Sequence, residues 1–169
     1  ASVSAVSRIL LPERTDIHGK AFDVGTPDFT CAVLEFRSGL IGRLTANFYV
    51  NPSKQGASME FHGDAGSFFL GSSYLFDAAV EFAEFGKSFT GVPHARTPFA
   101  GVEFGRGLED FCLAIQEGRP HRCDARMAAH IVDVIEAIGE SGRSGRPVPI
   151  ASSFPSPAPM EWALGTGPL

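Results

Sequence analysis

Three polar side chains in one predicted turn have the chemistry to bind hydroxyl groups. Asn51, Lys54 and Gln55 lie in the segment NPSKQG, whose Asn, Pro, Ser and Gly residues are typical of a turn between two strands. An ammonium group donates hydrogen bonds, and an amide both donates and accepts them, so the three side chains suit a ligand with neutral hydroxyls. The alternative interpretation is a turn that only water contacts.

A second pair of candidate binding residues lies in a segment without a periodic pattern. His94 and Arg96 fall within residues 87–104, where Gly, Pro, His, Arg and Phe follow neither helix nor strand spacing. We interpret this segment as a long loop, and loops of this length are often functional. His94 and Arg96 could reach an active site or a bound phosphate. A surface loop that binds nothing is the alternative.

The cysteines and histidines give weak support for a metal site. Cys31, Cys112 and Cys123 include no pair at C-x-x-C spacing, and we interpret them as three reduced thiols in a cytoplasmic protein. Zinc requires three or four ligands in a fixed geometry, and His121 and Cys123 in a loop with His130 on a helix do not define one. We therefore predict no metal, and a partly buried, hydrogen-bonded His130.

Composition argues against two classes of partner. The chain has 169 residues, of which 44% are apolar and 20% charged, and its formal net charge is -5. A mildly acidic chain does not attract nucleic acid or anionic lipid. No apolar run approaches the roughly 20 residues that cross a bilayer. We expect a globular protein that binds neither nucleic acid nor membrane.

The first half of the chain is predicted to form strands. Alternating apolar residues and turn-forming segments between them indicate two hairpins and a further strand. Arg43, on the second strand of the first hairpin, is expected to pair with Glu35 or Glu60 across the sheet, with an interface role as the alternative. The predicted strands cover residues 3–11, 29–36, 40–50, 57–62, 67–70 and 78–85.

The second half is predicted to form two helices. Apolar residues recur at helical spacing over residues 106–117, and Gly118 followed by Pro120 ends this helix. Asp124 is a predicted N-cap for the second helix, which ends at residues 142–145. A short edge strand at 147–150 follows. The Pro- and Ser-rich residues 151–169 are predicted to form an arm with little packing, anchored by Trp162.

Strands followed by helices indicate an α+β fold with a mostly antiparallel sheet and helices packed on one face. The chain contains 15 Phe residues, and two short helices cannot cover both faces of a broad sheet. The open face would then expose Phe and Val side chains to water. A second body, either another subunit or another domain, is expected to cover this face. We predict a homo-oligomer that buries it, and we expect Phe48→Glu to disturb either the core or that interface.

The order of these segments resembles the C-terminal domain of the Gfo/Idh/MocA oxidoreductases, the relatives of glucose-fructose oxidoreductase and inositol dehydrogenase. The similar stretches are FRSGLIGRLTANF at 36–48, MEFHGDAGSFFL at 59–70, and the two-helix region with its closing strand at 105–150. The succession of strand, G-D-x-G turn, D-F-x-x-A-I-x-E-G-x-P helix end and H-I-x-D-V-x-E-A-I helix carries the resemblance. It extends over most of residues 1–150.

The resemblance implies a domain plan and a set of ligands. In that family an N-terminal Rossmann domain binds NAD or NADP, and the C-terminal domain is an open-faced sheet of the glyceraldehyde-3-phosphate dehydrogenase type. Its open face pairs with another subunit, giving a dimer or tetramer, and the turn at Asn51, Lys54 and Gln55 lies near a sugar substrate. We expect one domain over residues 1–150, an arm over 151–169, and no Rossmann domain in this chain.

The chain lacks the family's catalytic and cofactor-binding motifs. No G-x-G-x-x-G joins a strand to a helix, and neither Glu-Lys-Pro nor a D-x-x-x-H pair occurs. Asp124 and His130 are six positions apart, which is the wrong spacing. No catalytic or cofactor-binding residue can be assigned, and the chain is expected to begin just after those motifs.

These features predict the substrate-binding and oligomerisation domain of an NAD(P)-dependent oxidoreductase that acts on a sugar, polyol or related hydroxy compound. The domain by itself is expected to be inactive and to bind no cofactor. The alternative is a standalone, non-catalytic β-sheet module for assembly or small-ligand binding.

Overall fold

The chain has an α+β fold, as the sequence predicts. The structure is a computed structural model that describes residues 1–48, 56–95 and 97–160. All strand pairs within these residues are antiparallel. In chain order the elements are β1 (Ser2–Arg8), β2 (Glu13–Thr15), β3 (Ala21–Asp23), β4 (Phe29–Glu35), β5 (Ile41–Asn47), β6 (Met59–His62), β7 (Gly66–Leu70), β8 (Val80–Glu84), β9 (Thr90–Gly91), α1 (Gly105–Glu117), α2 (Ala125–Ser144) and β10 (Val148–Pro149).

The chain divides into two compact units. One comprises Ala1–Asn51 with Gly118–Leu169, and the other comprises Pro52–Glu117. The expected single domain over residues 1–150, with an arm over 151–169, stays a prediction.

The first unit is a four-stranded sheet with α2 packed on one face. Its strand order is β10-β1-β4-β5, and Ala5 of β1 lies opposite Ala32 of β4. The alternation of each strand places one set of side chains towards α2. The buried core on that side consists of Val3, Ala32, Ala137 and Ile150.

Helix α2 begins and ends where its sequence predicts, and it lies very close to β1. The side chain of Asp124 caps the first turn, and Gly145 ends the helix in the left-handed conformation at φ 67°. Buried Ser141 accepts a hydrogen bond from the backbone N–H of Ala5 at 2.8 Å. A Cβ atom at Gly142 would lie 2.6 Å from the hydroxyl of Ser7, so this approach requires glycine.

The opposite face of this sheet is open, with Val33 and Ile41 exposed. Arg43 lies on this face, directly opposite Val33. Within the first unit it forms no ion pair with Glu35, so that predicted cross-strand pair is wrong, whereas the pair with Glu60, which belongs to the other unit, stays a prediction. Register explains the error, because the residue opposite Glu35 is Ile41.

The described part of the arm packs on α2 more than its composition predicts. Ser152 Oγ lies 2.7 Å from His130 Nδ1 and donates to Asp133 Oδ2 at 2.5 Å. A hydroxyl has one proton, so His130 Nδ1 donates to Ser152. The His130 and Phe154 rings lie 5.2 Å apart. His130 is half-buried and hydrogen-bonded, as predicted. Trp162 lies outside the described residues.

The second unit contains the sheet β6-β7-β8-β9 and helix α1. Phe61, Phe68 and Phe82 lie opposite one another across three strands, so they line the same face. Met59, Leu70 and Val80 extend this face by one further cross-strand row. We call these six residues the phenylalanine face. It is partly open, since Phe61, Phe68 and Phe82 are 55%, 37% and 38% exposed.

Two short pairings were not predicted. Strands β2 and β3 form a hairpin of three residues each, in which the side chain of Asp16 accepts from the backbone N–H of His18 and of Lys20. Strand β9 lies inside residues 87–104, which were interpreted as loop. Strands this short contain too few residues to show alternation, and their pairing depends on neighbours distant in sequence.

Candidate functional site

Four of the five predicted site residues lie outside the described residues. These are Asn51, Lys54 and Gln55 of the predicted turn and Arg96 of the predicted loop. The fifth, His94, is exposed between β9 and α1 in the second unit. Their proposed roles in binding stay predictions.

A cavity of about 180 Å³ lies where β4 begins and β5 ends, in the first unit. Apolar and polar residues line it together, and its volume lies below the roughly 300–1,000 Å³ of most small-molecule sites. Asn47 and Phe48 end the described segment that precedes the predicted turn at 51–55. The lining residues are Pro27, Asp28, Phe29, Thr30, Ala46, Asn47 and Phe48.

Asp28 is the buried charged group of this cavity. Its Oδ1 accepts from the backbone N–H of Leu10 at 2.7 Å, and Oδ2 accepts from that of Leu11 at 2.9 Å. Arg14 Nη2 lies 3.0 Å from Oδ2, and the side chains of Arg14 and Asp28 are only 16% and 2% exposed. Both carboxylate oxygens therefore have donors, and Asp28 is not available as a general base.

Arg14 and Asp28 each contact Phe48 as well as each other. Arg14 Nη1 donates to the Phe48 carbonyl at 3.4 Å, and the guanidinium lies over the Phe48 ring, 5.0 Å from its centroid. The Phe48 backbone N–H donates to the Asp28 carbonyl at 2.8 Å. Arg14 Nε is buried and has no hydrogen-bond partner within the described residues.

The pKa of Asp28 is lowered by these contacts. Burial raises the pKa of the carboxyl group, but the hydrogen bonds from Leu10, Leu11 and Arg14, with the charge of Arg14, outweigh it and bring the pKa below the ordinary value of 3.8. Asp28 therefore stabilises the fold above pH 3.8, and this contribution is lost as the pH falls through its folded-state pKa.

Asp28→Asn is expected to lower the melting temperature at neutral pH, because it removes this ionised acceptor. The difference from the unmodified chain should narrow as the pH falls through 3.8 and then through the lower folded-state pKa, because the carboxylate takes up a proton first in the unfolded state and then in the folded state. Thermal unfolding followed by circular dichroism across this range measures it. Asp23→Asn, an exposed carboxylate on β3, is the control for net charge. A difference that stays constant with pH would contradict the assignment.

Among the described residues that line the cavity, Asp28 is the ionisable one, and its carboxylate oxygens already accept from Leu10, Leu11 and Arg14. Thr30 Oγ1 and Ser7 Oγ lie 2.9 Å apart on the face of the sheet that α2 covers, whereas Phe29 and Asn47, which lie opposite each other, have their side chains on the other face. No group of three His, Cys, Asp or Glu side chains could hold a metal ion within the described ranges. Neither α1 nor α2 is long and apolar enough to cross a membrane.

A comparison with protein families identifies the fold. The family described as "Oxidoreductase family, C-terminal alpha/beta domain", of the Gfo/Idh/MocA type, matches residues 12–150. The chain belongs to this family. A comparison with curated proteins finds no match.

Solved structures share the fold of this Gfo/Idh/MocA domain. A levoglucosan dehydrogenase in complex with NADH and L-sorbose has a TM-score of 0.71 at 20% identity, covering 90% of this chain and 45% of that one. An aldose-aldose oxidoreductase from Caulobacter crescentus, complexed with glycerol, has a TM-score of 0.65 at 22% identity, covering 87% and 40%. The chain thus spans less than half the length of these proteins.

A third similar structure is that of a repressor mutant. The super-repressor mutant of Gal80p from Saccharomyces cerevisiae has a TM-score of 0.62 at 14% identity, covering 89% of this chain and 44% of that one. At these identities the likeness shows the fold alone, and the activity of each protein remains its own.

The sequence did not point to the cavity residues of the described structure. Asp28 had one usable signal, an acidic residue between Pro27 and an apolar strand. Thr30 and Asn47 lie at the cavity because β4 pairs with β5, and Arg14 reaches Asp28 and Phe48 through contacts that are distant in sequence.

Proposed function

We propose that this chain is the substrate-binding and oligomerisation domain of an NAD(P)-dependent oxidoreductase acting on a sugar or polyol. The observation that carries the proposal is the family match over residues 12–150. Hydride transfer and proton transfer would be performed by a Rossmann domain and catalytic residues outside this chain. The three cysteines are free, which agrees with a reducing cytoplasm as its location.

The described residues do not fit a nicotinamide cofactor. Gly105 and Gly107 lie inside the first turn of α1, and the nearest preceding strand, β9, ends at Gly91. A dinucleotide site needs a glycine-rich loop that joins a strand directly to a helix. We therefore derive no step of the reaction through a cofactor bound to this chain.

The cavity supports the substrate class. Sugars and polyols combine neutral hydroxyls with C–H faces. The residues that line the cavity include Asn47, whose amide can both donate and accept, and the aromatic residues Phe29 and Phe48. This combination of residue types supports a hydroxylated ligand.

The phenylalanine face supports self-association. Aromatic residues and Met are enriched at protein interfaces, and a contiguous apolar face of this kind is uncommon on a monomer. A symmetric dimer buries the same face on both subunits. We propose that two copies of the chain pair through this face.

A non-catalytic module is the second candidate. It would rest on the exposed phenylalanine face alone, which supports assembly without any ligand. It differs from the first candidate in its ligand, since a pure assembly module needs no affinity for a hydroxylated small molecule.

The decisive experiment is a titration of the purified chain with L-sorbose and, separately, with NADH, followed by calorimetry and NMR. We expect a Kd for L-sorbose on the order of 1 mM, from roughly 0.3 kcal/mol per non-hydrogen atom, and no binding of NADH. Asn47→Ala should weaken L-sorbose binding about 5-fold by removing one hydrogen bond.

Thr45→Ala is the matched control, on the same face of β5 two residues away and outside the cavity. It should leave the affinity unchanged. Absence of L-sorbose binding would favour the assembly module, and tight NADH binding would mean that the chain itself holds a cofactor site.

A further inference from the structure

We propose that Asp28 and Arg14 are positioning residues of the cavity, which hold Phe48 and the end of β5 in the geometry that receives the ligand. The inference rests on the proposed function, because it assigns a role to residues around the proposed substrate cavity. Neither residue is placed in contact with the reacting atoms, so the role is one of orientation.

A backbone hydrogen bond attaches the end of β5 to the residue that precedes β4. Strand β5 ends at Asn47, and the next residue, Phe48, donates its backbone N–H to the carbonyl of Asp28 at 2.8 Å. Asp28 immediately precedes β4, the strand that pairs with β5. This hydrogen bond continues the ladder by one residue beyond the paired strands and fixes the backbone of the Phe48 wall.

Arg14 orients the Phe48 ring. Phe48 is 83% exposed, so packing does little to fix the side chain. Arg14 contacts it at two points, the carbonyl at 3.4 Å and the ring face at 5.0 Å from the centroid. A planar guanidinium can donate to a carbonyl and stack on a ring at once, which an ammonium group cannot reproduce.

Asp28 holds Arg14 in place. Its Nη2 is bound to Asp28 Oδ2, and Asp28 is fixed in turn by the backbone N–H groups of Leu10 and Leu11. The contacts therefore form a continuous series from the loop after β1, through Asp28 and Arg14, to Phe48. The short β2–β3 hairpin supplies Arg14 to this series, which gives the hairpin a role at the cavity.

A purely stabilising role explains these residues less well. A buried ion pair gains little over apolar packing, because desolvation offsets the attraction, and it is better suited to specifying one conformation. Here the pair also leaves Arg14 Nε buried and without a hydrogen-bond partner among the described residues. The desolvation of Arg14 Nε costs free energy, and this cost is explained if the pair fixes the geometry of the cavity wall.

Arg14→Lys tests the inference. Lysine retains the positive charge beside Asp28 but loses the stacked, forked contact with Phe48. We expect the Kd for L-sorbose to rise about 10-fold, because the Phe48 wall must then be ordered on binding. We also expect faster hydrogen exchange at the Phe48 amide, measured by NMR on the full chain. Asp28→Asn, which keeps the side-chain shape, should change both quantities in the same direction.

Asp124→Asn is the matched control for a structural effect. Asp124 also accepts from a backbone N–H, that of Met127 at 2.8 Å, and from an arginine, Arg126, but it caps α2 and does not line the cavity. It should lower stability while leaving the L-sorbose Kd and the Phe48 exchange rate unchanged.

The outcomes separate this inference from the proposed function. If L-sorbose fails to bind the unmodified chain, the proposed function fails, and the Phe48 exchange rates in Arg14→Lys and Asp28→Asn still decide whether the pair fixes this wall. If both variants leave Kd and exchange unchanged, or if Asp124→Asn changes them equally, the positioning role is overturned.

Discussion

Replacing Gly66 by alanine is expected to destabilise the second unit by about 3 kcal/mol or more, the combined range for an overpacked site and a strained backbone. A Cβ atom at this position would lie 2.2 Å from the carbonyl oxygen of Ala83 and 3.1 Å from the Glu84 Cα. Both are backbone atoms of the neighbouring strand β8, so neither can rotate away. The φ angle of +156° adds a second penalty for a residue with a side chain. Denaturant unfolding, with the end points followed by fluorescence and NMR, measures the change.

Gly63→Ala is the control, since Gly63 belongs to the same turn. The nearest heavy atom to its Cβ position is the Gly66 carbonyl oxygen at 3.9 Å, an ordinary contact. We expect a change within about 0.5 kcal/mol. Equal effects of the two substitutions would show that the pairing of β7 with β8 is not as described.

This contrast shows which part of the second sheet the sequence could predict. The turn at 63–66 follows from its Gly and Asp residues, because those residue types favour local turn geometry. The special need for glycine at Gly66 does not follow from the turn, because its cause is Ala83 on another strand. Local chemistry predicts the hairpin, whereas the contact that restricts it is distant in sequence.

The same distinction applies to the candidate site. Sequence analysis selected polar residues by type within single segments, namely 51–55 and 94–96. The described cavity instead depends on Asp28 and Arg14, 14 positions apart, and on Phe48, 34 positions from Arg14. These meet because a three-residue hairpin pairs beside the sheet. No periodic pattern in so short a hairpin predicts that pairing.

The apolar pattern predicted where helix α1 forms but not which of its residues are buried. Leu108, Phe111 and Ile115 have helical spacing, and α1 forms over the expected residues. These three side chains nevertheless remain exposed, whereas Asp110 and Ala114 are the buried residues of the helix. Periodicity determines which residues share a face, while burial depends on which surface meets that face.

The role of the phenylalanine face in assembly has a direct test. Phe68→Glu is expected to abolish or strongly weaken self-association of the chain. Phe68 is central in the cross-strand row, between Phe61 and Phe82, and a charge there would be desolvated in a dimer. A central interface aromatic contributes about 2 kcal/mol or more, so the dimer dissociation constant should rise roughly 30-fold or more. Sedimentation velocity over a concentration series measures this constant.

Ser67→Glu is the matched control, because the next residue of the same strand points to the opposite face of the sheet. It adds the same charge to the same element and should leave the dimer intact. The circular dichroism of Phe68→Glu should match that of the unmodified chain, since Phe68 is already partly exposed. Ser67→Glu removes the hydrogen bond of 2.8 Å between Ser67 and His62, so its fold is checked by the same measurement. A monodisperse monomer of the unmodified chain would remove the phenylalanine face as a self-association surface. Dissociation by both variants alike would attribute the effect to added charge, because only Phe68 lies on the face that the proposed dimer buries.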